Sequence, residues 1–233
     1  MKDLLTELLG RPSGVVVYQL LDATQFTVYL SLIAFVGGGL LGAVVALVRI
    51  APNTWGKRFT IGYIWLFQST PLLMLLFLTG LGVPRLFGMN IDPWYAASIS
   101  LTLYSSAYMS DVWRGALESI PQGQWEGANA LGLRFLPTLR LVVAPQAMSV
   151  ALAPTVGFMV QIIKGTSLAY IIGFSDLMTI GKRWAPVAGT EPYIIFPLMA
   201  LIYFALCFPL SLYSRRLERR MGTVKTVQPV ATA

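Results

Sequence analysis

Charged residues are few in this sequence, and three of them interrupt one apolar region, PQGQWEGANALGLRFLPTLRLVVAPQA at residues 121–147. This segment carries Glu126, Arg134 and Arg140, with long apolar stretches on either side. The chain has no histidine, which is the commonest catalytic base and metal ligand, and a single cysteine, Cys207. The sequence therefore predicts neither a catalytic residue nor a metal site in this chain.

A second set of polar residues lies inside the apolar stretches, where a polar side chain is costly unless it faces protein or water. For any single serine, the favoured reading is a structural one, in which the hydroxyl bonds to its own helix or to a neighbouring helix. Asp111 and Arg114 are three residues apart, which places them as neighbours on a helix. A structural ion pair between them is at least as well supported as a gate.

Long uncharged runs indicate the elements that position these residues. Hydrophobic residues make up 56% of the 233 positions and charged residues only 12%, whereas an ordinary soluble domain carries about 25% charged residues. A run of about 18 to 20 apolar residues crosses a bilayer as a helix, because hydrocarbon offers backbone groups no other partner. The sequence predicts an all-α membrane protein with five spans, about 23–48, 59–84, 93–110, 141–163 and 192–214.

The positions of the basic residues predict the orientation of these spans. Eleven of the 17 Lys and Arg residues fall on one side of the five-span arrangement and six on the other. Basic residues near span ends stay in the cytoplasm, so the N-terminus is predicted outside and the C-terminus in the cytoplasm. The net charge of +7 comes mostly from these basic residues at span ends. Because they are dispersed and form no continuous basic patch, the sequence predicts membrane lipid as a partner and no nucleic acid.

One membrane domain, 23–220, is predicted between two flanking segments. Residues 1–22 are predicted to form a short helix at the outer interface with no cleaved leader, and residues 221–233 a flexible cytoplasmic tail. An apolar patch at 165–174 is too short to span and is predicted to lie in the interface or to re-enter partway. Close approach of a second helix is predicted at four glycines. These are Gly37, Gly38, Gly39 and Gly42.

The segment 121–136 is predicted to contain a short cytoplasmic helix. Pro121 suits its first turn, Ser119 is a plausible cap, Glu126 lies near its positive start, and Pro137 ends or kinks it. One side carries residues at spacings of three and four, namely Trp125, Ala128, Leu131 and Gly132. This shape favours docking to another protein and, equally, an amphipathic helix resting on lipid headgroups.

Residues 126–145 resemble a known signature. Glu126-Gly127-Ala128, three residues, Gly132, nine residues and then VVAP is similar to the E-A-A-x3-G-x9-I-x-L-P pattern of permease subunits in bacterial ATP-binding cassette (ABC) importers. Gly127 replaces Ala, and two further apolar positions differ. Four other strings look like those of the polar amino acid branch of that family, with Asp111, Gln68, Ser69 and Gly165 as departures. They are AYMSDVWRG at 107–115, SIPQGQWE at 119–126, KGTSL at 164–168 and FQSTPL at 67–72.

The resemblance implies a type I importer permease with a MetI-like fold in the bacterial inner membrane, with the N-terminus in the periplasm. Its implied partners are two ABC ATPase subunits, a second permease subunit that is the same or a paralogous chain, a periplasmic solute-binding protein and a polar amino acid substrate. The chain has no phosphate-binding G-x-x-x-x-G-K-[ST] motif, so no cofactor is expected here and ATP is expected on the partner subunits.

Site residues follow from the same resemblance. The segment 121–136 is implied to be the coupling helix, in which Gly132 permits close approach. Its residues are Trp125, Glu126, Gly127, Ala128 and Gly132. A solute path is expected among polar residues of the second, third and fourth spans. These are Ser69, Thr70, Tyr104, Ser105, Tyr108 and Gln161.

The main alternative is an ion-gradient-driven secondary transporter or a channel subunit. Five spans do not divide into equal inverted repeats, and no acidic residue lies in the middle of a predicted span to carry a coupling ion. A membrane enzyme ranks third, because histidine and clustered carboxylates are absent from the spans. The chain is therefore predicted to be a transport subunit and not an enzyme.

Overall fold

The computed structural model describes residues 13–187 and 192–222, and every regular element in those ranges is helical. The predicted segment before residue 13 and the predicted tail after residue 222 lie outside the described residues. The α-helices are α1 (Ser13–Ile50), α2 (Thr54–Ser69), α3 (Leu72–Phe77), α4 (Val83–Phe87), α5 (Pro93–Glu118), α6 (Gln122–Ala130), α7 (Phe135–Thr138), α8 (Ala144–Thr166), α9 (Leu177–Trp184) and α10 (Pro192–Gly222).

Three stretches in the described ranges are long and apolar enough to cross a membrane: Ser13–Ile50, Phe135–Ile172 and Pro192–Arg220. A fourth candidate is the pair α2 and α3–α4, taken as one broken span. Helix α5 is 26 residues long but is not among the apolar candidates, because serines and charged residues interrupt it. It packs against α1, α2 and α8, so its polar faces meet protein. The apolar candidates thus number three or four, against the five spans predicted.

The predicted second span is divided. Helix α2 ends at Ser69, and the chain turns through 98° before α3 and α4, which a π-helix (Leu78–Gly82) joins. Pro71 has no N–H to donate, and the Thr70 hydroxyl donates to the carbonyl of Leu66 at 2.7 Å, so the break leaves few backbone groups unpaired. The prediction of one continuous helix over 59–84 was wrong in this respect.

Two predicted spans are longer than the sequence indicated. Helix α1 begins at Ser13, ten residues before the predicted start. Helix α8 follows a π-helix (Leu139–Val143) and continues as a 3₁₀-helix (Ser167–Ile172) that ends at Gly173. The apolar patch at 165–174 therefore extends the fourth predicted span. Between the first two spans, Asn53 caps α2 by accepting from the N–H of Trp55 at 3.1 Å.

The glycines of α1 lie against α5, as predicted. A Cβ atom on Gly38 would lie 2.5 Å from the Cβ of Ser105, and one on Gly42 would lie 2.9 Å from the carbonyl oxygen of Ser106. Both distances are shorter than any normal contact, so only glycine lets the two backbones approach this closely. The predicted close packing is confirmed, and it fixes α5 in the centre of the bundle.

A buried carboxylate lies where α1, α9 and α10 meet, and the sequence did not point to it. Asp176 is fully buried and caps α9 by accepting from the N–H of Thr179 at 2.9 Å. Its other oxygen accepts from the hydroxyl of Tyr203 at 3.4 Å, and the neighbouring N–H of Leu177 donates to Thr27 Oγ1 at 3.3 Å. No basic side chain in the described ranges pairs with it. Burial raises the pKa of Asp176 above its usual range.

Asp176→Asn is expected to remove a pH dependence of stability. Because the folded pKa is raised, the folded protein binds more protons than the unfolded chain between the two pKa values, and stability falls as pH rises through that interval. The amide keeps an acceptor for the N–H of Thr179 but does not titrate. Thermal unfolding across an acid-to-neutral pH series should show a decline for the native chain and a flatter profile for the variant. Parallel pH profiles for the native chain and the variant would show that Asp176 does not cause the pH dependence.

Candidate functional site

Helix α6 (Gln122–Ala130) lies within the segment predicted to dock a partner. It packs on the bundle through Ala128, which is buried, and through Trp125, whose ring stacks on Phe135 at 6.2 Å between centroids. Pro121 is the N-cap residue, one position before the first turn in which it was predicted. Ser119 does not cap it, because its hydroxyl donates back to the carbonyl of Ala116. Pro137 lies inside α7 and belongs to the following helix.

Glu126 is exposed, on the side of α6 that faces away from the bundle. It is the fifth residue of the helix, beyond the first turn, so the positive helix start stabilises it less than the sequence suggested. Leu131, predicted on the same side as Ala128, is 83% exposed and points outward. Among residues 13–187 and 192–222, none forms an ion pair or a hydrogen bond with Glu126. Its carboxylate is free to meet a partner.

Gly132 ends α6 through its backbone conformation. Its φ of 76° is left-handed, its N–H donates to the carbonyl of Asn129, and the N–H of Leu133 donates to the carbonyl of Ala128. These two bonds are a Schellman motif, which requires a residue without a Cβ at this position. A Cβ here would meet no atom within 4 Å, so Gly132 permits no close approach within the chain. Within the chain this turn is the reason for glycine, and the close approach of a partner at Gly132 stays a prediction.

Gly132→Ala is expected to destabilise the chain by about 1 to 2 kcal/mol, because a side chain at positive φ is strained whatever the free space. Gly127→Ala is the matched control, since Gly127 has helical φ and the same open surroundings. The control should be neutral or slightly stabilising, because alanine is the better helix former. Thermal unfolding of both purified variants gives the comparison, and equal midpoints would exclude the turn as the reason for glycine.

A direct connection joins α6 to α8. Gln146 donates to Gln124 Oε1 at 3.2 Å and to the carbonyl of Val142 at 2.7 Å. Beneath this contact, an apolar cluster includes Leu117 of α5, Leu139 of the π-helix and Ala147 of α8, with Trp125 packed against it. A displacement of α6 would therefore reach both α5 and α8 through packed side chains.

Tyr104, Tyr108 and Phe158 form an aromatic group between α5 and α8. The ring of Tyr108 lies 4.7 Å from that of Tyr104 and 5.4 Å from that of Phe158. Two of the predicted path residues, Tyr104 and Tyr108, are thus brought together. The third, Gln161, is exposed one helical turn from Phe158 on α8.

The remaining predicted path residues lie elsewhere. Ser105 is fully buried against Gly38 of α1, and its hydroxyl has no hydrogen-bond partner in the described structure. Ser105 therefore faces α1 and not the aromatic group. Ser69 and Thr70 lie at the break after α2, where neighbouring Gln68 donates to the carbonyl of Ala107 at 3.4 Å. No described contact joins Ser69 or Thr70 to the aromatic group.

The C-terminal end of α5 carries three linked charges. Arg114 pairs with Asp111 at 2.8 Å, as predicted, and also with Glu118 one turn further along at 2.5 Å. A structural ion pair is confirmed, and Glu118 is the partner that the sequence reading missed.

Comparisons with known proteins identify the family to which this fold belongs. A family model described as the binding-protein-dependent transport system inner membrane component matches residues 38–223. An inner membrane amino-acid ABC transporter permease of Escherichia coli (strain K12) is 33% identical over 213 residues; they span 82% of this chain but only 57% of that relative's length.

Two solved structures have the same fold. The crystal structure of an amino acid ABC transporter with histidines matches with a TM-score of 0.78 at 30% identity. The match covers 87% of this chain and 94% of the chain in that structure. The MetNI methionine ABC transporter in an inward-facing conformation has a TM-score of 0.68 at 18% identity, covering 88% and 95%, and supports the fold alone. The all-helical MetI-like fold and the inner-membrane location are confirmed. The chain belongs to the family of binding-protein-dependent transport system inner membrane components, the permease subunits of ABC importers.

Proposed function

We propose that this permease carries a polar amino acid across the bacterial inner membrane and is driven by two separate ATPase subunits that grip α6. The observation that supports the proposal is Glu126, an exposed carboxylate on a helix whose opposite side is anchored to the bundle. A helix resting on lipid headgroups would turn a continuous apolar side outward, whereas the exposed residues of α6 itself include Gln122, Glu126 and Asn129, and the exposed Leu131 follows its last turn. The docking interpretation is therefore preferred to the lipid-surface one.

The coupling residues are Trp125, Glu126, Gly127, Ala128 and Gly132. Glu126 provides the charge that the partner meets, and Gly127 keeps the surface beside it free of side chain. Trp125 and Ala128 hold the helix to the bundle, and Gly132 sets the angle at which the chain leaves it. Closure of the ATPase subunits on ATP would displace α6, and the Gln124–Gln146 contact would transmit the displacement to α8.

The solute path is proposed along the aromatic group. Tyr104 and Tyr108 offer hydroxyls beside apolar rings, and Gln161 offers an amide donor and acceptor, which suits the ammonium and carboxylate of an amino acid. Ser69 and Thr70 join this path only through a rearrangement at the break after α2. A second permease subunit, the same or a paralogous chain, would close the other side, and a periplasmic binding protein would deliver the solute.

The membrane topology proposed is five spans with the N-terminus in the periplasm, with α5 as the central span and α2–α4 as one broken span. The domain limits proposed are 1–22, 23–220 and 221–233. Helix α5 need not be apolar because protein surrounds it. Cysteine-accessibility labelling at the two ends of α5 would test the topology, and labelling of both ends from one side would exclude it.

The transport proposal is tested in proteoliposomes containing the purified permease with and without its ATPase and binding-protein partners. We expect uptake of a polar amino acid only with all components and ATP, and a Glu126→Lys permease should bind the ATPase more weakly. Uptake on an ion gradient by the permease alone would instead establish the secondary-transporter alternative.

A further inference from the structure

A cavity of about 320 Å³ opens on the side of the bundle between the ends of α1, α5 and α8, away from the aromatic group. Its walls are apolar. Leu47 of α1 and Met148 and Leu152 of α8 form an exposed rim, and their exposed fractions are 48%, 70% and 46%. The cavity is therefore open to the surroundings of the bundle.

The two polar side chains in the lining are already satisfied. Trp113 donates from Nε1 to Thr155 Oγ1 at 2.8 Å, and the Thr155 hydroxyl donates to the carbonyl of Ala151 at 2.7 Å. A polar solute entering the cavity would lose its hydration and gain no hydrogen bond, which costs several kcal/mol per group. The occupant must therefore be apolar where it contacts the walls.

The position of the cavity limits the occupant further. Two of the walls belong to Ser13–Ile50 and Phe135–Ile172, which are long and apolar enough to cross the bilayer, and an apolar cavity on the side of such helices suits contact with acyl chains. The open side and the apolar walls suit a flexible hydrocarbon chain lying along them.

Two arginines that neighbour lining residues along the chain favour a negatively charged occupant. Five charged residues lie within two positions of a lining residue, and three of them form the group joined by Arg114. The other two, Arg49 and Arg140, form no ion pair within the described ranges. Arg49 is next to Ile50 in the chain, and Arg140 is next to Leu139. Ile50 and Leu139 belong to the same apolar cluster, so both arginines lie at the same end of the bundle.

We propose that this cavity binds an anionic phospholipid, with one acyl chain against the apolar walls and the phosphate held by Arg49 and Arg140. The site lies on the side of α8 beside the segment that connects to α6, through Met148 and Gln146. Lipid bound there would stabilise the contact between α5, α8 and the coupling helix. The proposal stands whatever solute the permease carries.

Native mass spectrometry of the intact transporter tests this site. The complex is purified in detergent supplemented with equal amounts of phosphatidylglycerol and phosphatidylcholine of identical acyl chains. We expect retention of phosphatidylglycerol in preference to phosphatidylcholine, and roughly a fivefold loss of that retention in Arg49→Gln and in Arg140→Gln, from the contribution of one arginine to anionic lipid binding. Arg215→Gln, at an exposed arginine on α10, is the control and should retain the native amount.

A second pair of measurements addresses the apolar walls. Ala144→Leu adds a side chain at a half-buried wall position and should reduce retention of both lipids. A photocrosslinking residue at Met148 should capture lipid. Equal retention of the two lipids by the native transporter, undiminished retention in both arginine variants, or capture of a neighbouring permease at Met148 would each overturn the proposal.

Discussion

Replacing Glu126 with lysine is expected to abolish uptake while leaving the amount of permease in the membrane unchanged. The carboxylate is exposed and has no partner in the described structure, so its replacement should change the free energy of unfolding by no more than about 0.5 kcal/mol. At a docked surface, the same replacement sets like charges against each other, and close charge pairs at interfaces contribute about 1.5 to 7 kcal/mol. We expect at least a roughly tenfold fall in uptake.

Two comparison variants separate the charge from the fold. Glu126→Gln removes the charge without reversing it and should lose less activity than the lysine variant. Glu218→Lys makes the same change at an exposed glutamate on α10 and should transport normally. Uptake, membrane abundance and recovery of the ATPase on the purified permease are measured together. Normal uptake in Glu126→Lys would contradict the coupling role of α6. The role would also be contradicted if the variant lowered the amount of permease in the membrane while the remaining permease still recovered the ATPase normally.

Gly38→Ala is expected to lower the unfolding midpoint of the purified transporter by several degrees. The added Cβ would lie 2.5 Å from the Cβ of Ser105 and 3.2 Å from the backbone nitrogen of Ser106, and neither atom belongs to a flexible side-chain end. Overpacking of this kind costs about 1 to 3 kcal/mol, or roughly 2 to 4 °C for each kcal/mol in a chain of this size.

The next residue provides the control. A Cβ on Gly39 would lie 3.7 Å from the Trp113 ring, an ordinary contact, so Gly39→Ala should leave the midpoint unchanged or raise it slightly. Ser105→Gly removes the atom that the new methyl group meets. The double variant Gly38→Ala with Ser105→Gly should therefore be more stable than the sum of the two single effects predicts. Additive effects, or equal midpoints for the two alanine variants, would contradict the close contact of α1 with α5.

The sequence alone was sufficient for features that depend on composition and local spacing. Apolar runs indicated membrane helices, and the glycines at 37–42 indicated the face on which α1 meets α5. Spacing of three residues indicated the pair of Asp111 with Arg114. Each of these depends on helical periodicity, which is present in the order of the residues.

The break after α2 could not be predicted, because proline alone does not determine where a helix ends. Pro154 lies inside α8, and Pro197 and Pro209 lie inside α10, without interrupting those helices. Pro71 coincides with a 98° turn in a run that is just as apolar. The difference depends on the neighbours, since α3 packs on the 3₁₀-helix and on α5 after the turn.

Two site features also depended on tertiary contacts. Asp176 appears in the sequence as an ordinary loop residue, and its burial follows from helices that meet 150 positions apart, as in the bond from Leu177 to Thr27. Ser105 and Tyr104 are adjacent in sequence, yet one faces α1 and the other faces α8. The resemblance placed both on a solute path, but it did not specify which face of α5 lines that path.

The 98° turn after α2 has a consequence for the bilayer itself. Helix α2 has 16 residues and rises about 24 Å, less than the roughly 30 Å of hydrocarbon. If α2 runs close to the membrane normal, the turn directs α3 and α4 along the membrane plane, where the exposed Met74 and Leu78 would meet acyl tails. Local thinning of the bilayer would follow from so short a helix, and we then expect the permease to prefer shorter-chain lipids around it.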